Sequence, residues 1–148
     1  MTTRRIWRLS SAGSLERLAQ VTEDLPPPGP GEALVRIEAI GLNCVDVFAC
    51  LGLYSATPPG AFIPGLECAV VIEALGPSRA GDEAASTCIA PGDRVMVLTR
   101  FGGYATALHA DTRYLVPMPR AKRSSIGCVA AASWLRSRKV PAARLRTT

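Results

Sequence analysis

The run IGLNCVDVFACLGLY, Ile40 to Tyr54, followed by a Pro-rich link and by FIPGLE, Phe62 to Glu67, decides how this 148-residue chain is read. Its middle carries the chemistry of a short helix. Asn43 accepts hydrogen bonds well at an N-cap, Asp46 falls three residues on, where a carboxylate meets the free amides of a first turn, and Gly52 suits the far end. A helix that begins at Asn43 presents unsatisfied N–H groups and a partial positive charge to whatever faces it.

On either side of this run the pattern is that of strands. Ala33 to Ile40 alternates imperfectly and is entered through a Pro/Gly turn, which predicts a half-buried strand. Ile6 to Leu9, Glu67 to Leu75, Arg94 to Leu98 and Tyr104 to Leu108 are further strand candidates, with turns at Gly76-Pro77, Pro91-Gly92-Asp93 and Gly102-Gly103. The small polar residues from Pro77 to Ala90 read as a surface loop. Many short strands joined by such turns predict a mainly β protein with short helices, built as a compact barrel.

Composition agrees with one soluble domain: 48% of the residues are hydrophobic, enough to fill a core, and no apolar run approaches the length of a membrane span. The net charge of +5 is unevenly distributed. Residues 120–148 carry eight basic side chains and no acid, while the other nine basic groups and all 12 acidic ones fall in the first 119 residues, a net of −3 there. Any electrostatic attraction to a polyanion therefore concerns the tail. Five cysteines without a CxxC pair, and no N-terminal apolar segment, point to a reducing, cytoplasmic compartment where most of them serve as small buried hydrophobes. The acid-free start, MTTRRIWRLSSAGSL, also reads like a transit peptide, but Ile6 to Leu9 is better placed as a first strand. His109, the only histidine, has no cysteine or serine motif near it and is expected to be a surface or hydrogen-bonded side chain.

The GLNxxD and PGLE segments, with PPPGPGE (Pro26 to Glu32) and PGDRVMVL (Pro91 to Leu98) in the same order, resemble the first domain of the medium-chain dehydrogenase/reductase family. The resemblance covers roughly Ile6 to Pro119 and lies with the zinc-independent quinone oxidoreductase, or zeta-crystallin-like, branch. GDRVMVL followed by an arginine is similar to the vesicle-amine-transport-like subgroup. The fold so implied is a GroES-like, partly open β-barrel over residues 1–119, with residues 120–148 a divergent basic tail, expected to be disordered or a loose short helix.

The resemblance also implies a site. Zinc-dependent relatives carry a cysteine ligand where Asn43 stands and a histidine ligand where Leu66 stands, so no metal is expected here. Asn43 and Tyr54 match residues lining the nicotinamide and substrate cleft, which makes them the catalytic candidates; Asn43, Asp46 and Glu67 are the cofactor-side candidates. Each has a plainer reading: a helix cap for Asn43 and Asp46, a ring packed at a loop edge for Tyr54, and for Glu67 a carboxylate opening a strand and bonded to local backbone.

The implied activity is NADPH-dependent reduction of a quinone or enone. The family's glycine-rich dinucleotide turn, which needs a strand before it and a helix after it, is found nowhere in the chain, and the Rossmann domain expected after Pro119 is missing. The expectation is accordingly a truncated N-terminal domain, inactive alone and binding no NADPH by itself. The alternative is a non-enzymatic binding or regulatory protein that engages the intact homologue, a second copy, nucleic acid or an acidic membrane surface through barrel and tail.

Overall fold

The computed structural model describes residues 1–79 and 89–118. Residues 80–88, most of the expected surface loop, and the basic tail after Met118 lie outside the described residues, and so do Cys88 and Cys128.

Among the described residues, seven strands and one α-helix follow in chain order. They are β1 (Thr2–Leu9), β2 (Leu18–Leu25), β3 (Glu32–Ile40), α1 (Cys44–Leu51), β4 (Glu67–Leu75), β5 (Arg94–Leu98), β6 (Ala107–Asp111) and β7 (Leu115–Pro117). Five strands form an antiparallel sheet in the order β6-β3-β4-β5-β7, and β1 pairs with β2 in a hairpin. Among the described residues, the backbone bonds that join the hairpin to the rest of the domain come from β1. Arg5 and Trp7 exchange backbone bonds with Thr106 and Tyr104, and Leu9 does so with Phe62. The result is a partly open, GroES-like barrel, mainly β with short helical pieces, as the sequence implies.

Alternation decides what each strand buries. On β5, Val95 and Val97 turn inward while Arg94, Met96 and Leu98 face out. β4 buries Cys68, Val70 and Ile72 by the same rule, and these five pack with Ala33, Val35, Leu108, Ala110 and Leu115 in the main core. β3 departs from strict alternation: Ala33, Leu34 and Val35 are all buried. The pairing of β3 with β4 slips between Leu34 and Val35, and Leu34 fills a separate small cluster with Leu25 and Ala107. A third cluster, Leu9, Ala49, Cys50 and Phe62, seats α1 against β1. Phe101 meets Phe62 edge-on there, with centroids 5.4 Å apart.

Two expectations are corrected. The strand placed at Tyr104 to Leu108 runs instead from Ala107 to Asp111. The preceding segment is taken up by cross-links: Gly102 and Tyr104 donate backbone bonds to Ile63 and Pro64, while Tyr104 O receives Trp7 N–H. β2 and β7 were not expected at all. β2 carries polar side chains on both faces near its middle, and β7 is three residues long. The arginines that give the N-terminus its transit-peptide look are working parts of the hairpin: Arg4 and Arg8 both bind Glu23 of β2, and Arg4 also donates to Ala107 O at 3.1 Å.

Candidate functional site

Three segments far apart in sequence meet at the start of α1. Asn43 caps the helix with extended backbone angles, and Gly52 ends it in the left-handed region at φ 76°. The well-formed half of the capping box is the carboxylate's: Asp46 Oδ2 accepts Asn43 N–H at 2.9 Å. The Asn43 side chain turns outward and donates from Nδ2 to Glu67 Oε1 at 3.2 Å. Glu67 thus opens β4 as expected, but its carboxylate binds a side chain 24 residues away rather than its own local backbone.

Asp46 is 2% exposed, the one buried charged side chain among the described residues. Its Oδ2 is also the acceptor for the Tyr104 hydroxyl, at 3.3 Å, whereas Oδ1 meets no donor among the described residues. Burial, and then the adjacent Asp46 charge, push the Tyr104 phenol well above its ordinary value, so it remains a donor at any working pH. Burial with the Asp46 charge similarly raises the Cys50 thiol one helical turn on.

Two glycines make these contacts possible. A Cβ on Gly41 would stand 2.5 Å from Glu67 Cγ and 2.6 Å from Glu67 Cδ, so the carboxylate can fold back over the chain only because Gly41 has no side chain. Gly65, at φ 100°, lies against Tyr104, whose Cδ1 and N would be 2.6 and 2.7 Å from an added Cβ. The glycine of GLN therefore admits Glu67, and the glycine of PGLE admits Tyr104.

Of the sequence candidates, Asn43, Asp46 and Glu67 are thus brought together. Tyr54 lies apart from them, half-buried against the Leu9, Ala49, Cys50 and Phe62 cluster. Tyr104 is the residue that sequence reasoning missed, and Phe101 beside it closes the small core. Cys44, at the first helical position, is exposed, unlike Cys50 and Cys68. His109 Nε2 meets Pro26 O at 3.0 Å, away from this group. Among the described residues no set of three His, Cys, Asp or Glu side chains is arranged to hold a metal ion. No described helix is long and apolar enough to cross a membrane.

A partly open antiparallel barrel that carries a capped short helix is the build of a GroES-like domain. Residues 29–120 match the family described as the alcohol dehydrogenase GroES-like domain, and the chain belongs to it. Its similarities place it with the zinc-independent quinone oxidoreductases of the medium-chain dehydrogenase/reductases. It is 31% identical over 111 residues to the human synaptic vesicle membrane protein VAT-1 homolog-like, covering 75% of this chain and 25% of that one. A solved structure of that human protein superposes with a TM-score of 0.71 at 27% identity, over 89% of this chain and 39% of that one. A probable quinone oxidoreductase of Schizosaccharomyces pombe is 34% identical over 71% of this chain and 30% of its own length. The quinone oxidoreductase of Thermus thermophilus, solved also in complex with NADPH, gives a TM-score of 0.57 at 29% identity over 80% of this chain and 33% of that one. The chain thus spans between a quarter and two fifths of the length of these relatives.

Proposed function

We propose that this domain supplies the substrate-side wall of a cytoplasmic, NADPH-dependent reductase of quinones or enones. The observation that carries the reading is the Asn43 amide. It is exposed at the start of α1, one N–H is engaged by Glu67, and the other is left for a ligand oxygen. A carbonyl that is to accept a hydride needs a donor aimed at the oxygen where charge develops, and an amide N–H beside a helix N-terminus provides one. NADPH supplies the hydride when bound. The residues here suit the nicotinamide and substrate end of such a cleft. α1, the only α-helix among the described residues, is entered from Gly41-Leu42-Asn43, with no glycine-rich turn to receive a pyrophosphate.

The reading is tested in two steps. Calorimetry on the purified chain should detect no NADPH binding. Grafted onto the nucleotide-binding half of a quinone oxidoreductase, the domain should support NADPH-dependent reduction of a quinone or enone, with Asn43→Ala lowering turnover more than stability. A folded, NADPH-binding chimera without reductase activity would refute it.

A further inference from the structure

We propose that Glu67 is the positioning residue of Asn43: its carboxylate selects which end of the amide faces the ligand and makes Asn43 a dedicated donor. An exposed asparagine ordinarily turns its oxygen and nitrogen ends with little preference, since the two are nearly the same shape. Here Glu67 Oε1 stands 3.2 Å from Nδ2. The flipped amide would set Oδ1 against a carboxylate oxygen, two acceptors with no proton between them. The carboxylate is in turn constrained from behind. It lies over Gly41, where a Cβ would collide with Cγ and Cδ, and the Glu67 backbone carbonyl accepts Gly41 N–H at 3.1 Å. The Asn43 backbone is pinned independently by Asp46. With the main chain and one amide proton both held, the second amide proton has a single direction, and the ligand atom it fits is an acceptor oxygen.

This rests on the reading of Asn43 as the ligand-facing donor, but its test involves no turnover, so the two fail separately. The titratable groups around the pair are Asp46 and Cys44 on α1, Cys68 next to Glu67 on β4, and Tyr104 from the segment before β6. In the isotope-labelled full chain, one of the two Asn43 Hδ2 resonances should lie downfield of its place in a free asparagine side chain, as a proton held by a carboxylate does. That resonance should move as the pH is lowered and Glu67 takes up a proton, while its twin stays. Glu67→Gln, which keeps an acceptor oxygen of the same reach, should retain part of the downfield displacement and lose the movement. Glu67→Ala should return the resonance to the position of a free side-chain amide. The inference is overturned if neither Hδ2 signal of the wild-type chain moves, or if the pair in folded Glu67→Ala is the same as in wild type. The wild-type titration decides the matter even if the alanine variant fails to fold.

Discussion

The Tyr104 hydroxyl and the Asp46 carboxylate, 58 residues apart in sequence, meet at 3.3 Å on the same oxygen that accepts the Asn43 backbone N–H. The helix cap is thereby tied to the segment that crosses from Gly65 toward β6. Tyr104→Phe removes a donor from a buried charge and keeps the ring, so it should lower the unfolding free energy by about 1–2 kcal/mol. Asp46→Ala also strips the Asn43 N–H of its acceptor and should cost roughly 2–4 kcal/mol. The double variant should be no less stable than Asp46→Ala alone by more than about 0.5 kcal/mol, because the two share one interaction. Urea unfolding of the four proteins measures all three quantities.

Gly65→Ala and Gly60→Ala form a matched pair. Both positions have positive φ, 100° and 82°, but an added Cβ meets Tyr104 at the first and nothing within 4 Å at the second. The Gly60 change should cost about 1 kcal/mol from backbone conformation alone. The Gly65 change adds an unavoidable backbone clash and should exceed 3 kcal/mol or prevent folding. Thermal unfolding separates the two, and equal losses would show that the contact with Tyr104 can relax.

Cys68 links stability to alkaline pH. Burial, then the nearby Glu67 charge, push its thiol from 9.0 up to about 11. A thiol held neutral in the fold favours folding fully below the unfolded value, and that advantage is lost as pH rises toward and through the folded one. Stability should therefore fall between about pH 9 and 11, by about 2–3 kcal/mol from this group. Cys68→Ala should flatten that limb of the profile. In a Cys88→Ser, Cys128→Ser background, a thiol reagent at neutral pH should modify Cys44 quickly and reach Cys50 and Cys68 only on unfolding.

At the acid end the hairpin responds. Burial raises the Glu23 carboxyl, but Arg4 and Arg8 outweigh it and leave the net value lowered. Stability from this group is present above the ordinary carboxylate value and is lost as pH falls through the folded one. Glu23→Gln should reduce the stability difference between neutral pH and pH near 3, as read by circular dichroism melts.

The purified chain should hold no stoichiometric zinc by elemental analysis, since among the described residues no three His, Cys, Asp or Glu side chains are arranged to hold a metal ion, and the resemblance implies that Asn43 and Leu66 stand at ligand positions. One tightly bound zinc per chain would overturn this.

What the sequence disclosed follows from how local the physics is. The helix from Asn43 to Gly52 is legible because its cap, its acidic third residue and its glycine stop act within one turn of chain. β4 and β5 are legible because alternation repeats along each of them. β2 was hidden because Gln20, Thr22 and Asp24 alternate with the exposed Ala19 and the half-buried Val21 and Glu23, Leu25 alone being fully buried, and among the described residues its strand partner is β1. Tyr104 was hidden for a different reason. Nothing near it in sequence tells of a carboxylate 58 residues earlier, and the glycine that makes room for its ring belongs to another motif. The same holds for Gly41, whose purpose is visible only once Glu67 is seen lying over it.

The manner in which β1 is held has a consequence for synthesis. Its inner edge is completed by backbone bonds to Phe62, Tyr104 and Thr106, so a strand made well before these partners is among the last to find all of them. Leu9 can be covered once Ala49, Cys50 and Phe62 have emerged, but Ile6, fully buried in the finished domain, waits for its bridge partner Ala105. The nascent hairpin is thus the part of the molecule most in need of protection by a chaperone, and a fusion or tag that slows the docking of Arg5 and Trp7 should reveal itself as aggregation during expression before any loss appears in the purified protein.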